Sequence, residues 1–284
     1  MKAIAAAIGP TAALTALMYY FGLLHAYWFL RTFGVDYTVM KFTTQDYLLR
    51  SADGLFVPLT TLAVAVLATA WIVHPAIKLL LRRNRKAGTW IAGSAAVLIG
   101  SGLLALAAVG IADPAGLEEV PTLPGLGLSC GILCLTAAAH LYRNRANSKE
   151  APTPEFTVFW EWSAVFLLVV VGLFWAAADY SASVGSRRGE QVLESLASYP
   201  DIALYTEKDL SISAPGVTRT DCKNREAAFK YRYDGLKLIM QSGDQYLFVP
   251  SGWSASTGTA VIVPRSDAIR LDTSGAAQMH RPAC

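Results

Sequence analysis

The chain has 284 residues, 54% of them apolar and 16% charged, with a net charge of +3. That balance is too apolar for an ordinary soluble domain and too weakly basic for a nucleic-acid partner. Charges are sparse up to Tyr180 and ordinary after it, which predicts a membrane part followed by a water-soluble part.

Five apolar runs, at about residues 3–30, 55–81, 90–112, 123–142 and 156–178, are long enough to cross a bilayer. A helix needs about 20 residues to pass ~30 Å of hydrocarbon. Backbone at that depth must satisfy its own hydrogen bonds, so each run is expected to be helical. The first run is read as a retained signal-anchor. Its basic start is only Met1-Lys2, and no small-x-small cleavage site precedes its aromatics.

Lys and Arg give the orientation. Arg82, Arg83, Arg85 and Lys86 lie between runs two and three, and Arg143, Arg145 and Lys149 between runs four and five, on the side of Lys2. The connector between runs three and four carries Asp113, Glu118 and Glu119 and neither Lys nor Arg. The N-terminus is therefore expected in the cytoplasm and everything after residue 178 outside. The expected fold class is an α-helical membrane bundle of five transmembrane helices, residues 1–180, followed by a small mainly-β extracytoplasmic domain, residues 181–284.

The first run carries a polar stripe, Thr11, Thr15, Tyr19, Gly22 and His25, whose spacings put all five on one helical face. Turned to lipid, these groups would waste their hydrogen-bonding capacity, so the face is expected to meet protein or water. It is either a seam inside the protomer, with Thr hydroxyls bonding back along the helix, or an oligomer seam or aqueous path. In the connector that follows, Thr43-Thr44-Gln45-Asp46 forms a capping-box start. From there one helix is expected to continue into the second run, with Pro58 as a kink point. Asp36, Asp46 and Asp53 are offset by Arg31, Lys41 and Arg50. In a cyclic oligomer the aspartates would ring an outer mouth; otherwise they simply face water.

On the cytoplasmic side His74, Lys78, His140 and Glu161 fall at similar depth. Two histidines there could ligate haem or join Glu161 in handling protons, against a plainer reading as snorkelling interfacial side chains. Gly127 and Gly131 form a GxxxG pair in the fourth run, suited to close helix packing within the protomer or between copies. Cys130 and Cys134 read as small buried side chains rather than metal ligands.

After residue 180 the segment SVGSRRGEQVLESLASYP predicts a short amphipathic helix with Val184, Val192, Leu193 and Leu196 as its apolar positions. Beyond Pro200 the period becomes two, and six or seven short strands are expected from IALYT, DLSIS, AAFKYRYD, KLIMQ, QYLFVP, AVIVP and AIRLDT. Ser242-Gly243-Asp244 marks a tight hairpin, and Ala214-Pro215-Gly216 marks a turn between strands. Cys222 and Cys284 are expected to pair outside the cell.

The chain has no P-loop, dinucleotide fingerprint, HExxH or nucleophile elbow. A non-enzymatic protein without cofactor or metal is expected. The leading reading is a homo-oligomeric channel or gated pore for ions or small solutes, its outer domain sensing or assembling. The alternative is a membrane-anchored receptor or envelope-assembly factor whose β domain binds a partner, and a third is the haem or proton-handling redox protein. The partners implied are the lipid bilayer, further copies of the chain, and an extracytoplasmic protein or small ligand.

Overall fold

A computed structural model describes residues 2–73, 75, 85–117, 119–146, 155–222, 228–256 and 258–274. Five long helices come first: α1 (Lys2–Arg31), α2 (Thr44–Ala68), α3 (Arg85–Ala112), α4 (Leu123–Ala146) and α5 (Glu155–Glu194). A π-helical turn, Thr69–Val73, continues α2. Among the described residues four stretches, Thr44–Ile72, Gly88–Ala112, Leu123–Arg143 and Phe156–Glu194, are long and apolar enough to cross a membrane, and α1, the first of the five expected spans, is not one of them.

The short helix expected after residue 180 is instead the last third of a continuous 40-residue helix, α5. Nothing between Ala178 and Glu194 breaks it. Its two interior glycines there, Gly185 and Gly189, each weaken a helix by about 1 kcal/mol relative to Ala, but both are buried against α1.

The chain divides into two compact units, one of Met1–Gly54 with Ser181–Cys284 and the other Leu55–Tyr180. Residues 1–54 thus pack as one body with the C-terminal sheet.

That sheet is antiparallel: β1 (Asp201–Thr206), β2 (Thr218–Asp221), β3 (Tyr231–Ser242), β4 (Gln245–Pro250), β5 (Val261–Pro264) and β6 (Ile269–Ser274). The order is β5-β4-β3-β1-β6, with β2 also paired to β3. AAFKYRYD and KLIMQ, expected as two strands, merge into the single 12-residue β3. It bends rather than breaks: Gly235 takes φ 85, and the β3–β4 register shifts between Leu238 and Met240. DLSIS is no strand. Asp209 Oδ1 accepts from the Ser211 N–H in an Asx turn, and Ser211 sits at φ 50. Conversely TRTD, too polar to read as a strand, forms the fully exposed β2. The hairpin at Gly243 appears as expected, with Ser242 paired to Gln245 and Gly243 at φ 54. Ala214-Pro215-Gly216 also turns as expected, Gly216 at φ 84.

β4 is buried on both faces, which gives the sheet two cores. Phe248 joins Ile202, Leu204, Tyr233, Leu236 and Val263 on one side. Its neighbours Leu247 and Val249 point the other way, into a core with Phe29, Leu30 and Phe33 of α1 and its end, Val35 and Met40 of the connector, and Leu196 beyond α5. Each such side chain contributes roughly 1.5–3 kcal/mol on full burial. The second core is what binds the N-terminal 54 residues to the sheet.

In the other unit α4 is lined with small residues on two faces. Gly127 and Gly131 face α3, where an added Cβ would lie 2.8 Å from Leu103 O and 3.0 Å from Gly100 O. Gly125 and Ser129 face α5: Ser129 Oγ donates to Val169 O at 3.0 Å, and a Cβ on Gly125 would lie 2.7 Å from Gly172 O. The GxxxG pair therefore packs within the chain.

Candidate functional site

The most tightly built region is a seam where α1, the start of α2 and the end of α5 meet. α5 offers Ser181, Gly185 and Gly189, four residues apart on one face. Ser181 Oγ donates to Phe21 O at 2.8 Å. A Cβ on Gly185 would lie 2.6 Å from His25 O, and one on Gly189 2.5 Å from Thr32 Oγ1. α2 closes in through Gly54, whose Cβ would lie 2.6 Å from Ser181 Oγ, and through Tyr47, whose carbonyl abuts Gly22. The helices touch backbone to backbone, as small-residue seams allow. This Ser-x3-Gly-x3-Gly ladder was missed in the sequence because the apolar positions of the same segment drew the reading to amphipathicity.

The polar stripe of α1 divides at this seam. Thr11 and Thr15 are exposed, and Thr15 Oγ1 donates back to Thr11 O at 2.9 Å. Tyr19 is half-exposed with its ring edge-on to Tyr47 at 4.9 Å. Gly22 and His25 are buried. His25 is 5% exposed, its ring parallel to Phe29 at 6.4 Å, and neither ring nitrogen has a partner among the described residues. An orphaned buried polar group costs about 1–3 kcal/mol. Among the described residues the histidine is held by packing.

Each of the three aspartates Asp36, Asp46 and Asp53 has a partner in its own chain. Asp36 caps the 3-10 turn Tyr37–Met40, accepting from the Thr38 hydroxyl and N–H, and these two donors hold its carboxyl below the ordinary range. Asp46 accepts from Thr43 N–H and Thr43 Oγ1, both at 2.8 Å, while Asp46 N–H donates back to Thr43 Oγ1. The capping box is complete. The same carboxylate accepts from Ser242 Oγ at 3.0 Å. Next to it Gly243 lies so near the Lys41 carbonyl that an added Cβ would come within 2.7 Å. The β3–β4 turn is thus clamped to the N-terminus of α2. Asp53 pairs with Arg188 of α5 at 3.4 Å. Of the offsetting cations, Arg50 stacks over Phe42 at 5.0 Å and Arg31 over Trp28 at 4.9 Å.

The polar group expected on the cytoplasmic side comes together differently. Glu161 takes a two-pronged ion pair from Arg143, at 2.8 and 2.5 Å, and His140 stays exposed beside it. His74 and Lys78 lie outside the described residues. Cys134 is half-buried, but Cys130, expected to be buried, is exposed: Ser129 and Gly131 occupy the packed faces and turn Cys130 outward. Both are free thiols. The expected Cys222–Cys284 pair falls on Cys284, outside the described residues. Among the described residues no group of three or more His, Cys, Asp or Glu side chains could hold a metal.

On the sheet, three Arg-x-Asp pairs neutralise themselves: Arg219 with Asp221 and Asp209, Arg232 with Asp234, and Arg270 with Asp272. Arg232 and Arg270 flank the Tyr205 ring from neighbouring strands. The Tyr233 hydroxyl donates to Asp209 and accepts from Leu210 N–H, which fixes the loop after β1. No family model, curated protein or solved structure matches the chain.

Proposed function

We propose that the chain is a non-enzymatic multi-pass membrane protein, its N-terminus cytoplasmic, whose helices seat an extracytoplasmic β domain that binds a partner, in the class of a receptor or envelope-assembly factor. One observation carries this: the core shared by α1, the connector, the end of α5 and β4. Gly22 and His25 of the stripe, and Asp46 and Asp53 of the aspartates, are spent on building that seat. The basic connectors support the orientation, and outside the cell Cys222 and Cys284 pair in this reading. Site-specific photocrosslinking in cells tests it. Probes at exposed Arg219 or Thr220 on β2 should give a discrete protein adduct that probes at Phe166 do not. Failure of every sheet position to crosslink counts against the reading.

A homo-oligomeric channel is the second reading, favoured by the exposed line Thr11, Thr15 and Tyr19 on one face of α1. It requires a closed ring by mass in detergent and ion flux in liposomes. A monomer that conducts nothing overturns it.

A further inference from the structure

We infer that the outer face of the bilayer meets α1, α2 and α5 at one level, set by Phe21, Gly54 and Ser181, and that the helix ends beyond it stand outside hydrocarbon. This rests on the membrane reading above and adds where the lipid stops. The three residues meet: Ser181 Oγ donates to Phe21 O, and Gly54 abuts Ser181 Oγ. On each helix the surface changes character there. Along α1 the large exposed apolar side chains end at Tyr20, and residues 21–30 are buried or half-buried. Along α5 they end at Phe174, and the exposed Arg187, Arg188 and Glu190 follow. Along α2 they run from Phe56 onward, whereas the turns before it carry Asp46, Arg50, Asp53 and a solitary exposed Leu49.

The opposite boundary is marked by exposed Trp90 on α3 and by Phe156, Phe159, Trp160 and Trp162 on α5. Aromatic side chains of this kind gather at the headgroup level on both sides of a membrane. From Trp160 to Tyr180 is ~30 Å of helix at about 1.5 Å per residue, and from Lys2 to Tyr20 is ~27 Å. Both match the ~30 Å hydrocarbon thickness. Along each helix taken by itself, the stretch inside the outer level fits a lipid bilayer and the stretch beyond it fits water. It follows that α1 crosses with its first 20 residues rather than with the whole apolar run. Gly22 and His25 then belong to the seat of the sheet and line no membrane path.

Nitroxide depth measurement on the full chain in proteoliposomes tests this. Labels go at Leu49, Phe56, Phe166 and Glu190, in a background with the four native cysteines changed to alanine. If that background does not fold, an encoded nitroxide amino acid in the native chain reads the same positions. Leu49 and Phe56 lie seven residues apart on one face of α2, so ~10 Å of helix separates the two environments. The expected result is at least a fivefold preference for the water-soluble nickel quencher over oxygen at Leu49 and Glu190, and the reverse at Phe56 and Phe166. Leu49 or Glu190 reading as lipid, with Phe166 also in lipid, overturns the boundary and leaves the membrane reading standing. Phe166 reading as water overturns the membrane reading itself.

Discussion

Changing Gly22 to alanine should destabilise the protein, and changing Gly102 to alanine should not. A Cβ on Gly22 would overlap the Tyr47 carbonyl oxygen and lie 2.6 Å from Tyr47 C and 3.0 Å from Tyr47 Cα. These are backbone atoms of α2, so no side chain can swing aside and the helices must part. Overpacking costs about 1–3 kcal/mol, and an overlap with backbone atoms falls in the upper part of that range, about 2–3 kcal/mol. Against it stands a gain of about 1 kcal/mol in helix propensity, leaving roughly 1–2 kcal/mol of net loss. Gly102 has nothing within 4 Å of its Cβ position, so only the propensity gain applies. At about 2–4 °C per kcal/mol, the first variant should melt roughly 2–8 °C lower and the second up to about 4 °C higher. Thermal unfolding in one detergent at one scan rate measures both. A Gly22→Ala protein as stable as the native one would refute the backbone contact on which the seam rests.

Asp46→Ala removes the cap of α2 and the clamp to Ser242 together, and should cost about 1–2 kcal/mol. Ser242→Ala should cost about 0.5–1.5 kcal/mol, and a double-mutant cycle by chemical denaturation should show the two effects to be coupled. His25→Phe replaces an imidazole with no partner among the described residues by a ring of similar shape and should be neutral or stabilising by about 1 kcal/mol; a clear loss would mean that the imidazole has a partner. The Tyr233 hydroxyl, Ser211 N–H and Arg219 hold the Asp209 carboxyl below the ordinary range. Its stabilisation is therefore full above an unfolded value near 4 and is lost as pH falls through the folded value. Circular dichroism from pH 7 to 2 should show an acid transition that Tyr233→Phe flattens, and an unchanged acid limb would remove this pair from the account.

The elements that could be read from the sequence were those with one dominant local signal. The apolar runs, the Thr43–Asp46 box and the Gly243 reversal are each decided by a few neighbouring residues; the box and the reversal appear in the structure, and the runs are helical as far as the described residues extend. What could not be read was decided by partners distant in the chain. β2 is wholly polar and exists because β3 offers it an edge. Leu247 and Val249 look like any strand alternation, and only the fold reveals that they pack on Phe29, Leu30 and Phe33 more than 200 residues earlier. The candidate site shows the same division. The stripe on α1 was visible as a face, but its split at Tyr19 was not, because periodicity tells which residues share a face and not how far along the helix the neighbours extend.

The exposed half of that stripe, Thr11, Thr15 and Tyr19, is tested most directly at Thr15. Exposed and half-buried hydroxyls are common along these helices, and they satisfy themselves: Thr60 donates to Phe56 O at 2.8 Å, Thr61 to Val57 O at 2.9 Å, Thr69 to Ala65 O at 2.7 Å, Ser94 to Trp90 O at 2.6 Å and Ser163 to Phe159 O at 2.8 Å. Thr15, bonded to Thr11 O, belongs to the same set. A threonine tied to its own helix can face lipid with no polar group left unpaired, so polarity alone does not call for water beside it. Thr15→Val keeps the shape and removes only this local bond. If α1 is an anchor, the variant should match the native protein in stability to within about 0.5 kcal/mol and in every membrane property. If copies of α1 line a path, the change strips a hydroxyl from each lining helix at once, and flux in liposomes should fall severalfold at unchanged oligomeric mass. An unchanged flux in a protein that does conduct would exclude this face of α1 from the path.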